Sequence, residues 1–210
     1  MEHGMDKLQH GKTNIIGITG GIGAGKSEIL HYIEKNYNCR VIISDDVAND
    51  IKEKGFPAYE ELVELMGPGI LLDDGEIDRS KMAAAIFDNK DILKKVNNIL
   101  HPAVNTFIIN IIDSERASGK LDFVFVEAAL LIENGYDKIA DELWYVYASE
   151  EVRRARLKAH RGYSDDKITG IFAKQLDEDS FREKCDFVID NSGVLESAYG
   201  QIDNKLGGWK

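Results

Sequence analysis

The chain has few cysteines, no long apolar run and no excess of positive charge, and each shortage removes a class of protein. Its two cysteines, Cys39 and Cys185, have no second cysteine at metal-binding or redox spacing. A reduced, cytoplasmic protein is therefore the simplest expectation. No stretch approaches the ~18 apolar residues that a membrane-spanning helix needs. Against 26 Lys and Arg stand 37 Asp and Glu, a net charge of −11. No basic patch large enough to neutralise several phosphates is evident, so nucleic acid is not an expected partner. Residues 1–13 carry charges and histidines but no apolar stretch, and are expected to form a disordered extension rather than a secretory signal. The sequence contains neither an internal repeat nor a low-complexity tract.

At 210 residues and 43% hydrophobic, the chain can bury a full core. A single domain over 14–210 is expected, with a helical insert near 55–118 and a lid near 149–180. Its most specific feature is Gly20-Gly21-Ile22-Gly23-Ala24-Gly25-Lys26-Ser27, which fits G-x-x-x-x-G-K-[ST]. Before it runs Ile15-Ile16-Gly17-Ile18-Thr19, short, β-branched and nearly all apolar, as in a central strand buried on both faces of a parallel sheet. After it, Ile29, Leu30 and Ile33 form an apolar stripe, with His31, Glu34 and Lys35 on the other side. Strand, glycine-rich loop and helix make a phosphate-binding loop. The glycines let backbone N–H groups reach phosphate oxygens, and the helix turns its positive end to the same anion. Gly21 to Glu28 would cradle the nucleotide, Lys26 would reach the β and γ phosphates, and Ser27 would ligate magnesium. ATP or GTP is the expected ligand.

Further strand-like runs occur at Val41–Ile43, Phe123–Val126, Leu143–Tyr147 and Phe187–Ile189. Separated by helical stretches, five strands imply an α/β fold with a parallel sheet around that loop, and a P-loop NTPase fold, nucleoside-monophosphate-kinase-like with helices on both faces, is expected. Between the second and third strands, helices are expected over Ala58–Met66, Arg79–Phe87, Asp91–Leu100 and Ala103–Arg116. Such a block is too long for a simple crossover and should form a subdomain. Turn chemistry at Gly55-Phe56-Pro57, Gly67-Pro68-Gly69 and Asp73-Asp74-Gly75 punctuates it. Ser149 is a good N-cap for a helix ending at Gly162, and Ser164 starts another that runs to about Gln175. The first of these carries Arg153, Arg154, Arg156, Lys158, His160 and Arg161, either a solvated helix face or a cationic lid over a nucleotide.

Phosphoryl transfer also needs an oriented acceptor and stabilised charge. Asp45 and Asp46 follow the second strand at the sheet edge where ligands bind in such folds. One could take or orient a hydroxyl proton, and one could cap a helix starting at Val47. Glu127 ends the third strand, either as an acid reaching magnesium through water or as a carboxylate facing solvent. Glu133 could be a cap or a substrate contact. Arg79 and His101 could hold an anionic acceptor group, or be a surface arginine and a buried, satisfied histidine. Neither Asn89-Lys90-Asp91-Ile92 nor Asn204-Lys205-Leu206-Gly207 completes N-K-x-D, which argues against a GTPase switch.

From Asn14 to about Asp203 these residues resemble the dephospho-coenzyme A kinase family. Ile16 to Ser27 is similar to its G-[IL]-T-G-G-I-G-[SA]-G-K-S opening, and Asp45 falls on the second aspartate of its D-A-D element. Asp78-Arg79 with Ile86-Phe87, Leu100-His101-Pro102, Glu127 to Glu133, Arg156-Leu157, Gln175, and Cys185 to Gly193 match later elements in order. The resemblance implies ATP-dependent phosphorylation of the ribose 3′-hydroxyl of dephospho-CoA with Mg2+, ATP and dephospho-CoA being the partners. It assigns Asp45 as base or hydroxyl positioner, and Lys26 and Ser27 to phosphate and metal. Glu127 supports the metal, Arg156 belongs to the lid, and Arg79 and His101 help bind the acceptor; beside these, Arg161 is the candidate to replace the lid arginine missing at His160, and Glu133 remains a candidate substrate contact. The chain departs from the pattern at Ile43 for the first aspartate, Ala129 for a proline, His160 for a lid arginine and Ile171 for another. A kinase for another small hydroxyl or nucleotide acceptor, and a nucleotide-binding regulatory protein without turnover, are the alternative expectations.

Overall fold

The structure is a computed structural model that describes residues 8–87, 89–128, 131 and 135–209. The chain forms two compact units, one of residues 1–41 and 114–210, the other of residues 42–113.

The first unit is built on the sheet. Strands β1 (Asn14–Thr19), β2 (Cys39–Ile43), β3 (Phe123–Glu127), β4 (Glu142–Tyr147) and β5 (Phe187–Asp190) run in the order β2-β3-β1-β4-β5. β1 pairs in parallel with β3 and β4, and β4 with β5. All five expected strands are present, and β1 is buried along its whole length, as a central parallel strand should be. The run Ile29, Leu30 and Ile33 of α1 (Lys26–Asn36) packs with Ala198, Ile202 and Leu206 of the C-terminal helix (Leu195–Leu206). Both helices lie on Ile16, Ile18, Phe123, Phe125, Trp144 and Val146, which gives the core under one sheet face. On the other face Gly17 leaves room for Leu143 and Leu131, whose methyl carbons would stand 2.7 and 2.8 Å from an added Cβ.

Helix α6 (Glu150–Arg161) starts where the sequence indicates, the Ser149 hydroxyl accepting from the Val152 N–H, and stops at Gly162 with φ +62°. Helix α7 (Asp165–Phe172) is capped by Ser164 in the same way. The turn that follows reaches Gln175, and an unexpected helix, α8 (Glu178–Lys184), is capped by the Asp177 carboxylate. The expectation of a disordered 1–13 needs correction over residues 8–13. Thr13 is buried and donates to the Leu121 carbonyl at 2.7 Å, the Gln9 N–H donates to the Asn14 side chain, and His10 stacks on Trp209 at 3.8 Å. A charged, histidine-bearing segment still packs when its few polar groups find partners on the domain.

The second unit holds α2 (Ser44–Asp50), α3 (Pro57–Met66), α4 (Arg79–Phe87) and most of α5 (Lys90–Ser118). Its own core is Leu62, Met82 and Val96, with Leu65, Ile77, Ile92 and Ile99 packed around them. The compact unit begins at Ile42, earlier than the expected insert, because α2 belongs to it. The two helices expected on either side of Pro102 are one. An interior proline removes a helical hydrogen bond and costs about 3 kcal/mol. Here Val96, Val104, Ile108 and Ile112 form one continuous buried stripe, and the exposed Pro102 sits away from it. Helix α2 also starts earlier than Val47, with Ile43 in the N-cap position, so neither Asp45 nor Asp46 caps it by side chain.

A buried polar network in the first unit centres on Glu142. Glu142 is 2% exposed and takes a hydrogen bond from Trp144 Nε1 at 2.8 Å and an ion pair from Lys205 Nζ at 3.0 Å. Removing one partner of a buried pair leaves an uncompensated charge, at a cost of about 3–5 kcal/mol. Lys205→Met should therefore lower the urea midpoint strongly, and adding Glu142→Gln should restore much of the loss. A single variant as stable as the parent would show that Glu142 is not buried as a carboxylate.

Candidate functional site

β1 ends at Thr19, the loop runs from Gly20 to Gly25, and α1 begins at Lys26. Close approach dictates the loop's glycines. A Cβ at Gly20 would strike the Val146 carbonyl, one at Gly21 the Arg153 guanidinium, and one at Gly25, where φ is +92°, the Asn191 amide. Gly23, at φ +81°, lies against the α6 backbone, where a Cβ would stand 3.0 Å from the Arg153 carbonyl oxygen. Lys26 folds back over the loop, its Nζ donating to the Gly20 carbonyl at 2.8 Å and standing 3.5 Å from Glu127 Oε1. Register explains that pairing, since Glu127 is the partner of Ile18 across β1 and β3, one residue from the end of β1. Ser27 and Glu28 are exposed in the first turn of α1.

The loop's outward carbonyls are all engaged. Arg153 Nε donates to Ile22 O at 2.9 Å, Arg156 Nη1 to Ala24 O at 3.2 Å and to Gly23 O at 3.5 Å, and Asn191 Nδ2 to Ala24 O at 2.8 Å. Arg156 Nη2 also reaches the Asn191 carbonyl at 2.9 Å. With the carbonyls held outward, the N–H groups of Gly23, Gly25, Lys26, Ser27 and Glu28 have no protein acceptor among the described residues. Converging unpaired donors at a helix N-terminus are what a polyphosphate needs.

The second unit carries its own charged group. Asp45 and Asp46 lie exposed in the first turn of α2. Lys52, just past the end of α2, is half-buried and donates to Asn49 Oδ1 at 3.0 Å. Burial holds its ammonium below the usual lysine range, the charge of Arg79 adds to that, and the Asp45 carboxylate acts against it. Asp45, Lys52 and Arg79 therefore share one local field.

Gly21 to Glu28, Glu127 and Arg156 are thus brought together in one unit, while Asp45 and Arg79 lie in the other. His101 is exposed, which rules out the buried, satisfied histidine. His160 and Arg161 lie exposed in the last turn of α6, without a hydrogen bond or ion pair among the described residues. Glu133 and Ala129 lie outside the described residues. Sequence reasoning places Arg153 only within a basic cluster and Gln175 and Asn191 only within matched family elements, without the bracing role they take here, and it does not single out Lys52. Lys52 follows the end of α2 at Asp50, so helical spacing from Asp45 does not place it.

Gly25→Ala should weaken ATP binding at least tenfold, because it meets both an unfavourable φ and the Asn191 amide. Gly170→Ala, inside α7 with nothing near an added Cβ, should leave binding unchanged and stabilise by about 0.5–1 kcal/mol. Titration of each variant with ATP and a thermal melt separate the two. Equal binding by Gly25→Ala and the parent would contradict the geometry described.

A sequence profile of the CoaE family, dephospho-CoA kinase, matches residues 14–197. The chain is 37% identical over 196 residues to the dephospho-CoA kinase of Carboxydothermus hydrogenoformans, covering 93% of this chain and 94% of that one. Among solved structures, a Thermus thermophilus protein superposes with a TM-score of 0.74 at 26% identity, over 95% of this chain and 99% of that one. The dephospho-CoA kinase of Campylobacter jejuni, at 22% identity and a TM-score of 0.70, shares the fold over 93% of this chain and 99% of that one. The loop, the strand order and a match that spans nearly the whole chain agree: the protein belongs to the dephospho-CoA kinase family.

Proposed function

We propose that this chain transfers the γ-phosphoryl group of ATP to the ribose 3′-hydroxyl of dephospho-CoA, giving CoA and ADP. The observation that carries the reading is the row of outward-pinned carbonyls from Ile22 to Ala24, with the N–H groups of Gly23 and of Gly25 to Glu28 left open to phosphate. Family membership supplies the acceptor.

In this reading the loop N–H groups and Lys26 hold the β and γ phosphates. Lys26 exchanges its bond to the Gly20 carbonyl for phosphate oxygen and remains oriented by Glu127. The Ser27 hydroxyl and the Glu127 carboxylate are hard oxygen donors, and they suit Mg2+, which would be held with phosphate oxygens and water. When bound, the ion neutralises charge that builds on the phosphates. Asp45 accepts or orients the proton of the 3′-hydroxyl as its oxygen bonds to the γ-phosphorus and the bond from that phosphorus to the β-phosphate bridge breaks. Arg79 and Lys52 offer cations to the anionic part of the acceptor, and His101 and Glu133 are further acceptor candidates. Arg161 is the exposed cation that a closing lid would bring to the γ-phosphate. Among the described residues no helix is long and apolar enough to cross a membrane, and we place the enzyme in the cytoplasm, working on small molecules rather than on nucleic acid or membranes.

A coupled ADP-release assay with Mg2+, ATP and dephospho-CoA tests this. The parent should turn over only with acceptor present. Asp45→Asn should lose about 10²–10⁴-fold in kcat, the usual scale for a positioned proton acceptor, with little change in ATP affinity. Lys26→Ala should lose both ATP affinity and rate. Robust ADP production with another hydroxyl acceptor, but none with dephospho-CoA, would reassign the acceptor.

A further inference from the structure

Arg153 is the least expected neighbour of the nucleotide loop. Its guanidinium lies over Gly21, filling the space a Cβ would take, with one face on the Phe172 ring at 4.1 Å from the centroid. Its Nε donates to the Ile22 carbonyl at 2.9 Å and its Nη2 to Gln175 Oε1 at 2.7 Å. The same Gln175 oxygen accepts from the Ile22 N–H at 3.3 Å. Both polar groups of Ile22 are therefore claimed by side chains from α6 and from the turn after α7. The three bonds close a triangle, and each pair of its residues is bonded directly.

Two properties follow. Ile22 cannot rotate its N–H toward a phosphate without breaking the bond to Gln175, and its carbonyl cannot swing inward, where it would repel phosphate, without breaking the bond to Arg153. The guanidinium also brings a permanent positive charge to the outer side of the loop, in a half-buried place that disfavours the charge. There it is compensated by a carbonyl, an amide oxygen and an aromatic face, with no carboxylate among these partners. The Glu150 carboxylate lies near enough to favour the charge, and a half-buried guanidinium beside the phosphate cradle is screened by salt less than a fully exposed cation would be.

We propose that Arg153 and Gln175 are positioning residues for ATP: together they fix the Ile22 peptide and hold a half-buried cation behind the loop, so that the cradle is formed before nucleotide arrives. Neither touches substrate. The inference rests on the P-loop binding ATP and not on which acceptor is used.

The test is direct titration of the full chain with ATP and Mg2+ in the absence of acceptor, followed by steady-state kinetics. Arg153→Ala should raise the Kd for ATP about tenfold, and KM for ATP in step, leaving KM for dephospho-CoA unchanged. Arg153→Lys, which keeps the charge but loses the fork, should recover part of the affinity. Gln175→Leu, in a turn outside any helix, should raise the Kd as well, and it stands in should Arg153→Ala not fold. The double variant should cost less than the two single costs combined, since either one opens the triangle. Single variants with lowered melting temperature but ATP affinity within twofold of the parent would overturn the proposal, leaving the triangle a packing contact. A parent that binds ATP but does not phosphorylate dephospho-CoA would defeat the proposed acceptor while leaving these binding results to be judged alone.

Discussion

Three consecutive peptide units, from Ile22 to Ala24, must keep their carbonyls turned away from the space where phosphate binds. A peptide is a dipole, and one reversed unit in a phosphate cradle replaces an attraction by a repulsion. Glycine allows the required turns but does not enforce them, because it is equally content in other conformations. Enforcement comes from two guanidinium groups and one amide placed behind the loop, on α6 and just past β5. Those anchors require a helix docked on the sheet, the helix requires its serine cap, and the sheet requires a core that can bury β1 on both faces. Much of the first unit can be understood as support for the direction of those peptides.

The sequence is legible where a local rule and the tertiary demand coincide. The loop, the apolar strand before it and the stripe after it are visible because each is dictated by short-range chemistry. The caps at Ser149 and Ser164 and the stop at Gly162 are visible because hydrogen-bonding and backbone preferences act within a few residues. Pro102 misleads for the opposite reason. Its local penalty is real, but the buried stripe from Val96 to Ile112 runs past it, and burial over several turns outweighs one missing bond.

The candidate site divides in the same way. Lys26 and Ser27 announce themselves through a motif, whereas the place of Arg153 depends on how α6 lies against a loop about 130 residues earlier in the chain. In the sequence it is one arginine in a basic cluster, with nothing to separate it from Arg154, which pairs with Glu150 at the surface. Lys52 is hidden likewise, since its depressed basicity comes from burial and from Arg79, a residue on a different helix. Strand order too is a long-range outcome that periodicity does not contain.

Among the described residues, the side chains that brace the phosphate loop belong to the pieces of chain flanking residues 42–113, while Asp45, Lys52, Arg79 and His101 lie within that one uninterrupted segment. The segment also carries a core of its own around Leu62, Met82 and Val96. Inheritance can therefore treat the two as separate cassettes. In the proposed reading, where Asp45, Arg79 and His101 serve the acceptor, drift within the segment gives a lineage a way to explore new acceptors while the residues that brace the loop keep their identity.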